Sequence, residues 1–131
     1  MDAPTLIRRT AELTGLDKEH AERALRVILV TLGTRLDPGE ADDLASQLPA
    51  PFGALLRHES KPERFPPDEM VRRVVHLVPL SNEQAHRAIR AVFAVLAEAV
   101  SEGELEDVLG QLSADYSGLV GMPTGRNLQR R

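Results

Sequence analysis

Gly39-Glu40-Ala41-Asp42-Asp43-Leu44-Ala45-Ser46-Gln47-Leu48 carries apolar side chains at 41, 44, 45 and 48, the spacing of one buried stripe on a helix. The same stripe returns in Gly103-Glu104-Leu105-Glu106-Asp107-Val108-Leu109-Gly110-Gln111-Leu112, shifted by 64 positions. Working outward, residues 6 to 56 align without a gap on residues 70 to 120: Arg8-Arg9 on Arg72-Arg73, Gly39-Glu40 on Gly103-Glu104, Gln47-Leu48 on Gln111-Leu112. About a third of the paired positions are identical, and many of the others exchange one apolar residue for another. Two copies of a helical period make an accidental pattern untenable. The expected fold is all-α, with about eight helices in two four-helix repeats related by a pseudo-two-fold axis and sharing one core.

Helix starts follow from side chains able to satisfy the first free amides. Ser101-Glu102-Gly103-Glu104 reads as a capping box, and Asp37-Pro38-Gly39-Glu40 as its counterpart with proline in the first helical position. Ser81 and Asp17 open the two long helices. These signals predict helices over 4–14, 18–36, 38–48 and 50–57, then 67–78, 82–100, 102–112 and 114–120. Each long helix spans about 28 Å at 1.5 Å per residue. That of the second copy is apolar at Ala85, Ala88, Ile89, Val92, Phe93, Val95, Leu96 and Val100, with a polar strip at Glu83, Arg87, Arg90 and Glu98. So wide an apolar arc requires neighbours on more than one side. The chain reads as a single domain, 1–131: repeat one about 5–57, a proline-rich linker 58–67, repeat two about 68–121, and a frayed tail 122–131.

The chain has 131 residues, 42% of them hydrophobic, enough to bury a real core. It lacks cysteine, which excludes disulfides, thiolate metal sites and cysteine nucleophiles, and suits a reducing cytoplasm. No apolar run reaches the roughly 20 residues that span a bilayer, so no membrane partner is expected. A net charge of −4 with 3% aromatics supplies neither a phosphate-neutralising field nor stacking platforms, and no nucleic acid is expected. The positive charges are arginine apart from Lys18 and Lys61, the bias of a GC-rich bacterial genome.

The chemistry-bearing residues form few patterns. Glu83-x-x-His86 has the spacing used in carboxylate-bridged di-iron bundles, but the first copy has Glu22 where His86 stands, and Glu83 is better explained as an i,i+4 partner of Arg87, repeated in Glu19 with Arg23. His20, His58, His76 and His86 share no repeat positions, so no metal site is expected. Gly-x-Ser-x-Gly and phosphate-binding glycine loops are absent. No catalytic residue and no cofactor are expected. The arginines recur most regularly: Arg8, Arg9, Arg23 and Arg26 return as Arg72, Arg73, Arg87 and Arg90. Local acids account for most of them, while Arg73 and Arg90 have no evident local partner and are the candidate ligand-binding residues.

Ala24-Leu25-Arg26-Val27-Ile28-Leu29 leading into Leu36, then Gly39-Glu40-Ala41 through Leu44 to Gln47-Leu48-Pro49, together with their second copies, resemble the bacterial family known as domain of unknown function 2267. The resemblance covers roughly Thr5 to Val120, and the second copy departs from it with Ser113 in place of the proline after Gln-Leu. It implies a small duplicated helical domain and transfers no catalytic residue. The residues thus favour a non-enzymatic protein-interaction or regulatory domain, with a protein partner or homo-oligomer. An anion- or small-ligand-binding protein using the repeated arginines is the alternative, and a metal-dependent enzyme a distant third.

Overall fold

The structure, a computed structural model, describes residues 1–125. Among these the chain is all-helical, without a strand: α1 Ala3–Thr14, α2 Lys18–Arg35, α3 Pro38–Ser46, α4 Ala50–Leu56, α5 Pro67–Leu77, α6 Asn82–Ala99, α7 Glu102–Gln111, a 3-10 turn Ala114–Tyr116, and α8 Ser117–Val120. The expected helices are all present within two residues at either end, except that the last is split between a 3-10 turn and one α turn. None of these helices is long and apolar enough to cross a membrane.

Cap chemistry sets most of these borders. Asp17 accepts from the His20 amide at 2.8 Å, and Ser81 forms a full capping box with Gln84, each side chain bonding the other's backbone N–H. α1 stops at Gly15, whose φ of 76° is the left-handed cap that lets its N–H return to the Ala11 carbonyl at 2.9 Å. The Ser101 and Asp37 boxes depart from the local expectation. Ser101 accepts from the Glu104 amide at 3.2 Å, but the Glu104 side chain does not return, and Asp37 caps no amide of its own helix.

α2 and α6 touch at the centre; α1 packs on both of them, and so does α5. α4 covers α2 and α3, α8 covers α6, and α3 meets α7. One buried cluster contains Leu25, Ile28, Leu29 and Leu32 of α2 together with Ile89, Val92, Phe93 and Leu96 of α6. Close helix contact explains two glycines. A Cβ on Gly33 would stand 2.4 Å from the Leu56 carbonyl oxygen, and one on Gly53 would stand 2.6 Å from that of Ala45, so α4 reaches α2 and α3 only because both are glycine.

The segment between α4 and α5 is pinned rather than free. His58 Nε2 lies 2.8 Å from the Leu36 carbonyl, the Glu63 amide donates to Thr34 O at 2.9 Å, and Phe65 is buried. Residues 122–125, expected to fray, are tied as well: Thr124 Oγ1 donates to Ser113 O at 2.7 Å and the Gly125 amide to Leu109 O at 2.9 Å. The rest of the expected tail lies outside the described residues.

Candidate functional site

At the α3–α7 crossing, each helix is capped by the other half of the chain. Gln47, at the end of α3, accepts the Ser101 amide at 2.7 Å, where Ser101 begins α7. Gln111, at the end of α7, accepts the Asp37 amide at 2.9 Å, where Asp37 begins α3, and donates to the Asp37 carboxylate at 3.1 Å. These exchanges are reciprocal, as in an isologous contact. They also free the acids in the first turns. The backbone N–H that a capping-box Glu104 would bind is already held by Gln47, so its carboxylate turns elsewhere.

It turns toward Glu40. One ligand oxygen each from Glu40, Asp43 and Glu104 lies within 4.8 Å of the others, the only group of three carboxylate or imidazole ligands that converges in this way among the described residues. Glu104 is 8% exposed, and Oε2 of Glu104 and of Glu40 are buried without a hydrogen-bond partner among those residues. Burial, then the neighbouring Glu40, then the charges of Asp43 and Asp107, push the Glu104 carboxyl up to about 8. The sequence carried a signal for this site, since Glu40 and Asp43 recur as Glu104 and Asp107, but local capping explained Glu104 and nothing local said that α3 would meet α7.

The arginines singled out from sequence lie apart in function. Arg73 does have local partners: its Nε donates to Glu69 at 2.8 Å, its Nη2 to Glu63 at 3.0 Å, and its guanidinium lies 4.1 Å from the centre of the Phe65 ring. An external anion there must compete with two carboxylates. Arg90 has no carboxylate partner among the described residues and donates to the Gly118 carbonyl at 2.7 Å, holding α8. Of the expected helix-face pairs, Arg8 with Glu12 and Arg26 with Glu22 form, at 3.3 and 3.0 Å. Glu19 with Arg23 and Glu83 with Arg87 do not form among the described residues. Arg23 instead donates through Nη2 to the Leu77 carbonyl at the end of α5, at 3.2 Å, and Glu98 pairs with Arg9 of α1 at 2.7 Å.

That Arg23 contact lies in a groove along the α2–α5 seam. Two adjoining depressions make it up, one lined by Glu19, Glu22, Arg23 and Arg26 and the other by Val30, Thr34, Arg72 and Arg73, with His76 and Leu77 lining both. Leu77 and Val30, 52% and 45% exposed, are the two most exposed large hydrophobic side chains among the described residues. His20 also faces this groove, so the fold brings it near His76, whereas the His86 ring lies 2.8 Å from the Asn82 carbonyl of its own helix and His58 holds the linker.

Arg35 was not anticipated. It is 3% exposed, has no carboxylate partner among the described residues, and donates to the Phe65 carbonyl at 3.1 Å and the Gln111 carbonyl at 3.2 Å, beneath the Tyr116 ring. Alanine 99 occupies its repeat position, so Arg35 serves the linker that only one side of the molecule carries.

No curated protein matches this chain. A family model covers residues 4–119, and on that match the chain belongs to the family described as "Uncharacterized conserved protein (DUF2267)".

Proposed function

We propose that this chain is a non-enzymatic helical interaction domain of the bacterial cytoplasm, which docks an acidic amphipathic helix of a partner protein on its α2–α5 seam. The observation that carries this reading is the exposure of Leu77 and Val30: the two most exposed large apolar side chains among the described residues line the same depression between α2 and α5. Apolar surface of this kind, rimmed by polar groups, is what a helix-in-groove contact uses. The charges choose the partner. On a chain of net charge −4, the groove gathers Arg23, Arg26, Arg72 and Arg73, with His20 and His76, against Glu19, Glu22 and Glu69. Arg73 would take a partner's carboxylate only in exchange for Glu69 or Glu63, which already hold it. Non-enzymatic action accords with serines spent as caps, Ser81 on the Gln84 amide and Ser101 on the Glu104 amide.

The scaffold behind the seam is, in this reading, one domain made of two four-helix copies about a pseudo-two-fold axis. Corresponding helices start 64 residues apart, at Ala3 and Pro67, Lys18 and Asn82, Pro38 and Glu102, Ala50 and Ala114. Each first helix packs on both long helices, and the Gln47–Ser101 contact has its mirror in Gln111–Asp37. Leu13 is the repeat counterpart of Leu77 and is also exposed, on the α1 side.

A photoreactive residue at Val30, introduced in the source cell, tests the docking reading. It should give a discrete heteromeric adduct that Leu77→Glu abolishes while the fold persists, and that a probe at Glu83 does not give. Only uncrosslinked monomer, or an adduct unaffected by Leu77→Glu, would overturn it.

A further inference from the structure

We propose that the α3–α7 crossing binds one hard divalent cation, of the Ca²⁺, Mg²⁺ or Mn²⁺ class, between the carboxylates of Glu40, Asp43 and Glu104. The site is separate from the α2–α5 seam and does not rest on it. Two observations meet here. The three carboxylates converge within 4.8 Å, and within them Glu104, more than nine-tenths buried, aims an oxygen that finds no partner among the described residues. Acid clusters on surfaces are solvated; this one contains a buried acid with no counter-charge. None of Glu40, Asp43 and Glu104 has an arginine, lysine or histidine in ion-pair contact among the described residues, although Asp42, next in sequence to Asp43, pairs with Arg57 at 3.4 Å.

The donor set decides the kind of ion. All three ligands are carboxylate oxygens, with no imidazole and no thiolate, which suits hard cations over zinc or copper. Calcium–oxygen bonds of 2.3–2.6 Å put ligands on opposite sides of an ion about 5 Å apart, and magnesium brings them to about 4 Å, so oxygens within 4.8 Å can share either ion after small side-chain rotations. Water fills the remaining positions. Asp107 adds negative potential from the next turn of α7, as its effect on Glu104 shows. A proton shared by Glu40 and Glu104, with exposed Asp43 left to water, is the rival arrangement. A cation engages all three.

Its position gives the ion a consequence. Glu40 and Asp43 belong to α3 and Glu104 to α7, so the ion bridges the two halves of the chain and tightens the contact already made by Gln47 and Gln111.

The test uses the whole chain, stripped with a chelator and titrated separately with CaCl₂, MgCl₂ and MnCl₂ at constant ionic strength. At least one cation should bind with one-to-one stoichiometry by calorimetry and raise the melting temperature by roughly 5 °C at saturation. Glu104→Gln and Asp43→Asn should each weaken that binding at least about tenfold. Both variants remove negative charge from the cluster, so they should melt no lower than the wild type in chelator, which separates lost binding from lost folding. Failure of all three cations to shift the melt beyond a sodium control would overturn the proposal in favour of a shared proton. A shift that survives the combined Glu104→Gln and Asp43→Asn change would overturn it in favour of diffuse surface binding.

Discussion

Glu104 shows how a single residue's role is fixed by geometry that its neighbours in sequence do not contain. By local grammar it belongs to the Ser101 cap, and its amide does. Its side chain was displaced because Gln47 reached the Ser101 amide from the other half of the chain. In chelator, Glu104→Gln should stabilise the protein by about 1 kcal/mol or more at alkaline pH, since a buried charge without a partner is replaced by a neutral group of the same shape. The sign of its pH dependence follows from the raised carboxyl, held to about 8 against an ordinary 4.5 by burial and by Glu40, Asp43 and Asp107. The penalty for the acid is fully present above about pH 8 and absent below about 4.5, so the gain from glutamine should shrink as pH falls through that window. Urea melts of the two proteins at pH 9 and pH 4 check this, and an equal gain at both would contradict it. Glu83 offers the contrast: it is exposed and unpaired with Arg87, so Glu83→Ala should change stability by well under 1 kcal/mol.

Elements were legible where the determinants are local. Asp17 and Ser81 announce α2 and α6, Pro38 and Pro67 sit at first helical positions, and apolar spacing identifies the buried faces. Leu96, 1% exposed on α6, should cost about 2–5 kcal/mol when cut to alanine, read from denaturant unfolding. Arginine partners were less legible, because a long exposed side chain chooses among acids on several helices: Arg9 reaches Glu98 across 89 residues of sequence. Helix approach was not legible at all. Nothing in the residues around Gly33 announces that the Leu56 carbonyl stands 2.4 Å from where its Cβ would be. Gly33→Ala should therefore destabilise by about 1–3 kcal/mol, despite alanine's better helix propensity, because backbone must move. A stabilised Gly33→Ala protein would refute the close α2–α4 contact. Arg35 binds the linker into the same framework, and Arg35→Ala should leave the Gln111 carbonyl without that donor and the Phe65 carbonyl with the Tyr116 hydroxyl alone, at about 1–3 kcal/mol. Faster limited proteolysis within 58–66 would report the release.

For the molecule as a whole, residues 6–56 align on residues 70–120 in the sequence, but the consequence of that likeness depends on which surfaces the two halves bury. They bury each other's: α1 lies on α6 as well as α2, and α5 on α2 as well as α6. Both candidate sites depend on that exchange, the groove because α2 and α5 come from different halves and the carboxylates because α3 and α7 do. A chain truncated to residues 1–62 would expose the faces of α1, α2 and α3 that the second half covers. Sedimentation and circular dichroism of that fragment should find either an unfolded chain or a symmetric dimer in which a second copy replaces α5–α8. A folded, cooperatively melting monomer of residues 1–62 would contradict the shared core, and with it the origin of both sites.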